Sequence, residues 1–180
     1  RGVSNLFWQA VDATGTAERL VESAEEQAPM SVSPHGHRIV IRQGFPNFDL
    51  MMLNLEGDHR IDALVTGPFV EDGGVISPGD ARWLAYSSNE SGQFDVYVDA
   101  FPKPGARVRV TTAGGTEPRW SHDGRELFFR RGSAIHVVRF VADREIDSVA
   151  RLFDLGTPIR SYDISRDGRL LVNVPAASQT

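Results

Sequence analysis

A spacing of 44 residues runs through the whole chain and limits what it can fold into. Four short segments begin with serine and contain residues typical of tight turns: Ser33-Pro-His-Gly36, Ser77-Pro-Gly-Asp80, Ser121-His-Asp-Gly124 and Ser165-Arg-Asp-Gly168. The intervals from residue 33 to 77, from 77 to 121 and from 121 to 165 are each 44 residues. A period of this length predicts a stack of similar units that share one core.

Apolar residues repeat with the same spacing and predict strands. The residues directly before the four serines are all apolar: Val32, Ile76, Trp120 and Ile164. Earlier in each unit, apolar pairs such as Phe94 and Val96 alternate with other residues, as in a strand with one preferred face. After each turn a further apolar run begins, for example Leu127-Phe-Phe129. The turn of the second unit is one residue longer, because Ala81 has no counterpart in the others.

Four short strands in each unit of 44 residues predict an all-β fold, a β-propeller made of four-stranded antiparallel blades. The phase of the repeat predicts three complete blades and two complementary half-blades within one propeller domain or propeller fragment. The predicted bounds are a half-blade at 1–27, blades at 28–71, 72–115 and 116–156, and a half-blade at 157–180. In the third blade we expect strands at 116–121, 125–130, 134–140 and 149–153.

The half-blades leave three arrangements open. Both chain ends could complete one blade of a closed four-bladed ring, or the chain could form an arc of a larger propeller. Two copies could also join their half-blades into a homodimeric eight-bladed ring. The chain starts at Arg1 rather than Met, so we expect a fragment or a processed product.

Composition excludes several classes of function. The 24 acidic and 19 basic residues give a net charge of −5, which argues against nucleic acid as a partner. The absence of Cys excludes disulfides and thiolate chemistry. No apolar run reaches the roughly 18 residues of a membrane-spanning helix, so we expect no membrane insertion of this segment.

No pattern of catalytic or ligand-binding residues is complete, so we predict neither a catalytic residue nor a cofactor. The chain has no G-x-S-x-G, phosphate-loop or H-E-x-x-H motif. His35 and His37 lack a third metal ligand at close spacing. The segment from Asp163 to Gly168 looks like the start of a calcium loop, but its twelfth position would be Val174 instead of Glu. We therefore predict no metal site.

The mouth of the central channel is where a propeller binds its partners, and there the units differ most. The polar and aromatic residues expected near this mouth are Glu117, Arg119, Arg160 and Tyr162. They are the candidate partner-binding residues. The alternative is that Arg119 and Asp163, from neighbouring units, form a purely structural ion pair.

Some of these segments resemble a known family. Trp120-Ser-His-Asp-Gly-Arg125 and the aspartate-led strand Asp95-Val-Tyr-Val98 are similar to the TolB-type, WD-like β-propeller repeat. The stretch from Phe94 to Thr116 also resembles the propeller domains of bacterial serine/threonine kinases. The first unit departs from the pattern, with His35 and His37 where the family has Asp and Arg or Lys.

The resemblance covers nearly all of the chain and implies a bacterial, periplasmic or extracytoplasmic setting. It implies a non-enzymatic scaffold that binds a protein or peptide, in a TolB-like protein or in the sensor region of a receptor kinase. The alternative is the propeller domain of a prolyl-oligopeptidase-like hydrolase, or a propeller lyase, whose catalytic part lies outside these residues. Whether the parent protein is an enzyme stays open.

Overall fold

Strands account for all the regular structure in the part of the chain that the computed structural model describes, residues 3–12, 14–142 and 145–176. These residues form sixteen strands in five antiparallel sheets, three of four strands and two of two strands. Residues 1, 2, 13 and 177–180 of the predicted half-blades, and residues 143 and 144 of the third blade, lie outside the described residues. The predicted all-β class and four-stranded antiparallel blades are confirmed.

The strands of each sheet follow one another in chain order. The first sheet has β1 (Phe7–Trp8) and β2 (Glu18–Arg19). The second sheet has β3 (Gln27–Val32), β4 (Arg38–Gln43), β5 (Asp49–Asn54) and β6 (Ile61–Val65). The third sheet has β7 (Glu71–Ile76), β8 (Trp83–Ser88), β9 (Asp95–Ala100) and β10 (Val108–Arg109). The fourth sheet has β11 (Thr116–Trp120), β12 (Glu126–Arg131), β13 (Ala134–Ala142) and β14 (Glu145–Asp154). The fifth sheet has β15 (Ser161–Ile164) and β16 (Leu170–Asn173).

The repeated serine closes the turn between the first two strands of a unit. In all four turns its hydroxyl oxygen accepts a hydrogen bond from the backbone N–H at the start of the next strand, at 2.9–3.1 Å. This bond satisfies a backbone donor that the turn would otherwise leave to solvent, which explains why serine recurs. The extra residue of the second turn, Ala81, adopts a left-handed conformation with φ of 54°.

Alternating side chains pack each sheet against both of its neighbours. On β4, Ile39 and Ile41 belong to a buried cluster with Leu6, the residue before the first sheet, whereas Val40 lies on the other face in a cluster with Leu84 of the third sheet. β8 and β12 alternate in the same way, so an apolar cluster fills each of the four interfaces between successive sheets. Burying one such side chain contributes about 1.5–3 kcal/mol, and no sheet can bury both of its faces alone.

Hydrogen bonds also link the first strands of successive sheets. In each of three such bonds the two residues are 45 positions apart, one more than the period. The bonds run from Ile76 N to Ser31 Oγ (3.1 Å), from Trp120 Nε1 to Val75 O (3.2 Å) and from Tyr162 Oη to Glu117 O (2.6 Å). They hold the inner strands of neighbouring sheets in a fixed register.

The two-stranded sheets lie at opposite ends of the stack. Among the described residues they pair neither with each other nor with the four-stranded sheets, so the described parts of the two half-blades do not form a common blade. Their outer faces expose apolar side chains, including Phe7 (56% exposed) and Leu171 (77% exposed). The eight-bladed homodimer stays a prediction.

A buried carboxylate ties the third sheet to the segment that leads into the fourth. Asp95, the first residue of β9, is fully buried and accepts hydrogen bonds from Ser91 Oγ, Thr111 Oγ1, Arg109 Nη2 and Gly114 N at 2.6–3.0 Å. Burial opposes its ionisation, but the bonds from Ser91, Thr111 and Arg109 outweigh burial and lower the pKa of Asp95 to about 2. Its negative charge is therefore part of the folded structure.

We expect Asp95→Asn to lower the free energy of unfolding by about 1.5–3 kcal/mol at pH 7, because charge-assisted hydrogen bonds are lost. The difference in free energy of unfolding between the wild type and Asp95→Asn should be complete above the ordinary Asp pKa of about 3.9. It should disappear as the pH falls through about 2. Urea unfolding at pH 7, 4 and 2.5 measures this. The control Asp147→Asn, at an exposed carboxylate of β14, should change stability by less than about 0.5 kcal/mol. Equal effects of the two variants would contradict the role of Asp95.

A second carboxyl is buried without enough partners. Glu71 is 3% exposed; its Oε1 accepts a hydrogen bond from Ser88 Oγ (3.0 Å), and its Oε2 is buried without a partner among the described residues. Burial is the main cause that raises the pKa of Glu71. Gln27 occupies the same place in the second sheet, where it donates to Gln43 Oε1 (3.0 Å). The fold therefore accepts an uncharged side chain at this place.

We expect Glu71→Gln to stabilise the domain at pH 7.5 and to have little effect at pH 4. A raised folded-state pKa means that wild-type stability falls as the pH rises above the unfolded value of about 4.3, whereas Gln cannot ionise. Urea unfolding at both pH values tests this, with Glu25→Gln at an exposed site as the control. If the difference in stability between Glu71→Gln and the wild type does not change with pH, ionisation of Glu71 does not destabilise the folded state.

Candidate functional site

The starting ends of the first strands surround an open cavity of about 400 Å³. Its walls come from four successive sheets, and we call it the strand-start cavity. The residues from the first strands that line it are Met30, Asp72, Gly73, Thr116, Glu117, Arg119 and Ser161. The stacking of the sheets therefore brings together residues that are more than a hundred positions apart in the chain.

Bulges in the first strands shape this cavity. The pairing of β7 with β8 shifts between Asp72 and Val75, and that of β11 with β12 shifts between Thr116 and Arg119. Gly73 in the first of these bulges has a positive φ of 67°, which glycine adopts without strain.

Glu117 occupies the place of Gly73 one repeat later and has a φ of 55°. A left-handed conformation costs a residue with a side chain about 1–2 kcal/mol. Two contacts hold Glu117 in place, an ion pair of its Oε1 with Arg130 Nη2 (2.8 Å) and the hydrogen bond from Tyr162 to its carbonyl oxygen. A strained residue beside a cavity marks this opening as a candidate binding site.

The second strands of the third and fourth sheets contribute one further side chain each, and the second sheet has Arg42 at the equivalent place, where it pairs with Asp72 of the cavity. These residues lie directly opposite the fifth residue before each repeated serine in the antiparallel register. They are Arg42 opposite Ala28, Ser87 opposite Asp72, and Arg130 opposite Thr116. The third sheet thus has a small hydroxyl side chain where the sheets on either side of it have arginine.

The carboxylates at the cavity already have partners. Asp72 Oδ2 forms an ion pair with Arg42 Nη1 (3.0 Å), and Glu117 is paired with Arg130. Arg119 Nη1 donates to the carbonyl oxygen of Pro118 (2.9 Å), and within the described residues Arg119 forms no ion pair. Its guanidinium therefore remains available to a binding partner.

The structure separates the four predicted site residues. Glu117 and Arg119 both line the strand-start cavity. Tyr162 is buried between the fourth and fifth sheets; burial raises its pKa, and its hydroxyl contacts Glu117. Arg160 is exposed, its backbone N–H donates to Asn173 O (2.8 Å), and it is not among the lining residues. The alternative ion pair between Arg119 and Asp163 is not formed among the described residues.

The cavity also contains residues that were not among the predicted site residues, including Asp72, Ser87 and Arg130. Asp72 has the same repeat position as Thr116, and Ser87 and Arg130 are the residues paired with these two. Placing the second strand opposite the first across the serine turn would have found them. The one-residue insertion at Ala81 hides the equivalence of Ser87 and Arg130 in a fixed 44-residue alignment.

A different cavity, of about 720 Å³, lies where the first strands end. The apolar residues that precede the four serines line it, together with His122 and Arg166 of the turns. We call it the strand-end cavity. It shares no lining residue with the strand-start cavity and is therefore a reference surface on the same domain.

The described residues contain no group of three or more His, Cys, Asp or Glu side chains that could hold a metal ion. In the part of the chain that the structure describes, no helix is long and apolar enough to cross a membrane.

Four-stranded antiparallel sheets that stack face to face, with their first strands around an opening, define a β-propeller domain. No protein-family model matches the sequence, and no curated protein matches it. Solved structures do match, and putative TolB from Agrobacterium tumefaciens is 23% identical with a TM-score of 0.72, over 96% of this chain and 66% of that chain.

Two peptidases have similar folds. A puromycin-hydrolysing peptidase from Mycobacterium tuberculosis is 20% identical with a TM-score of 0.65, over 82% of this chain and 28% of that chain. Prolyl oligopeptidase B from Galerina marginata is 11% identical with a TM-score of 0.55, over 91% of this chain and 25% of that chain. The domain is thus structurally similar to TolB propellers and to prolyl oligopeptidase propeller regions, and it spans two thirds or less of each of these chains.

The packing of Tyr162 predicts its response to substitution. Tyr162→Phe should lower the free energy of unfolding by about 1 kcal/mol, because only the hydrogen bond to Glu117 is lost. Tyr162→Ala should cost about 3–5 kcal/mol, because it also leaves a cavity between the fourth and fifth sheets. Urea unfolding measures both, with the exposed Arg160→Gln as a control that should change little. Similar small losses for both Tyr162 variants would show that this side chain is not part of the core.

Proposed function

We propose that this domain is a non-enzymatic scaffold that binds a protein or a peptide at the strand-start cavity. The observation that supports it most is the Arg119 guanidinium, which has no ion-pair partner among the described residues and lines a concave opening beside the strained Glu117. Stacked sheets hold such side chains in fixed positions, which favours recognition because little ordering is needed on binding.

The size of the cavity favours a short segment of the partner. A volume of about 400 Å³ is in the range of small-ligand pockets and accommodates a few side chains or a chain terminus. The partner would therefore insert a loop or a peptide end instead of a flat surface.

The setting we propose is a bacterial TolB-like protein or the sensor region of a receptor kinase. Structural similarity to putative TolB supports the first of these, and the sequence resemblance of residues 94–116 to kinase-attached propellers supports the second. Both settings are compatible with binding at the strand-start cavity. In both, this domain would lie outside the cytoplasm.

A second candidate function is the propeller of a larger hydrolase. It is favoured by the similarity to a puromycin-hydrolysing peptidase, of which this chain spans 28%. Under this proposal the catalytic serine belongs to a separate domain. The complete reading frame distinguishes the two proposals, because a hydrolase requires a G-x-S-x-G segment outside these residues.

Selection of peptides on the immobilised domain, followed by calorimetric titration of the tightest one, tests the scaffold proposal. Arg119→Glu should weaken binding about tenfold or more, because it reverses the free charge at the opening. The control Arg166→Glu changes the strand-end cavity and should leave the affinity unchanged. Circular dichroism checks that both variants are folded. Unchanged binding to Arg119→Glu, or an equal loss with Arg166→Glu, would contradict binding at the strand-start cavity.

A further inference from the structure

We propose that the strand-start cavity binds a carboxylate of the partner, in the space next to Ser87. This inference rests on the proposed function, because it assumes that the partner enters this cavity. It specifies which chemical group of the partner the cavity binds.

Unused hydrogen-bond donors point to this ligand. Ser87 is 2% exposed, and its Oγ has no hydrogen-bond partner among the described residues. Arg130 Nε is also buried without a hydrogen-bond partner in the described part of the chain, although the Nη atoms of the same side chain donate to Glu117 Oε1 and Ile159 O. Both residues line the cavity. A buried donor left without an acceptor costs about 1–3 kcal/mol, so a ligand that accepts from it gains affinity.

The repeat explains why space is available at Ser87. In the second and fourth sheets the equivalent place carries Arg42 and Arg130, whose guanidiniums pair with Asp72 and Glu117. Ser87 is too short to reach such a partner. Gly73 keeps the space open on the opposite strand, because a Cβ there would lie 3.9 Å from Ser87 Oγ and 3.4 Å from Pro118 Cδ.

The charges at the cavity favour a monoanion. The carboxylates of Asp72 and Glu117 pair with the guanidiniums of Arg42 and Arg130. Arg119 adds a guanidinium that forms no ion pair among the described residues, so these five side chains carry one net positive charge. A single carboxylate neutralises this charge, and its two oxygens match the parallel N–H groups of a guanidinium. A phosphate dianion would leave excess negative charge beside Asp72 and Glu117.

The carboxylate can come from a peptide C-terminus or from an acidic side chain, and small probes distinguish the two. We would titrate the ¹⁵N-labelled domain with N-acetylglycylglycine, its C-terminal amide, N-acetylaspartic acid α-amide and inorganic phosphate. The signals to follow are the backbone amide of Ser87 and the side-chain Nε–H groups of Arg119 and Arg130.

We expect saturable shifts of these signals with one or both of the carboxylate probes, and the tighter probe identifies the source. Arg119→Gln should weaken binding about tenfold or more. Ser87→Arg restores the side chain of the neighbouring sheets and should abolish binding by filling the space. If Ser87→Arg does not fold, Ser87→Ala should still weaken binding about threefold, because one hydrogen bond is lost. Arg166→Gln in the strand-end cavity is the matched control and should bind like the wild type.

Three results would overturn the proposal: equal shifts with the amide probe, tighter binding of phosphate than of either carboxylate, or unchanged binding to Arg119→Gln. The titration uses no natural partner, so its outcome is independent of the peptide selection. If the carboxylate probes bind but Arg119→Glu does not weaken binding of the selected peptide, only the proposed peptide site is refuted. If Arg119→Glu weakens peptide binding but the carboxylate probes do not bind, only the carboxylate preference is refuted.

Discussion

Packing of each sheet against two neighbours is the interaction on which the rest of this structure depends. Neighbouring residues of a central strand serve different interfaces, as Ile39 and Val40 do on β4. Each sheet is therefore stable only between others, and stability belongs to the stack and not to the unit. The buried Asp95 network and the hydrogen bonds between residues 45 positions apart fix the register that this packing requires.

The candidate site is a consequence of the same stacking. Because equivalent residues of successive sheets lie side by side, a difference between units becomes a local change in shape and charge. At equivalent places, three successive sheets carry Arg42, Ser87 and Arg130, and this is such a difference. The sheet with the buried Ser87 hydroxyl lies between the two sheets whose guanidiniums are paired. The left-handed Glu117, where the preceding unit has Gly73, is another. Both departures from the repeat lie at the same cavity, which supports a role in recognition.

Repeat spacing predicted the strands well because apolar positions and turn residues are both local features. The third blade illustrates this, since β11 and β12 begin within one residue of the predicted starts. β14 begins four residues earlier than predicted, at Glu145, because its polar first half pairs with an extended β13. For the site, spacing alone named Glu117 and Arg119, and both line the strand-start cavity. It did not name Ser87 and Arg130, because their positions depend on pairing across the serine turns, and the turn before Ser87 also contains an insertion.

The sequence by itself determined the period, the all-β class and the turn chemistry, since serine caps and alternating apolar residues act over a few neighbouring positions. Only the tertiary structure decided which polar residues share a surface and which are buried. Tyr162 lies in the interface between two sheets, Arg160 lies in solvent, and Arg119 faces a cavity, although all three precede the repeated serines by similar distances. The direction of a side chain at a sheet interface depends on bulges and on the neighbouring sheet, and neither of these is encoded in the local pattern.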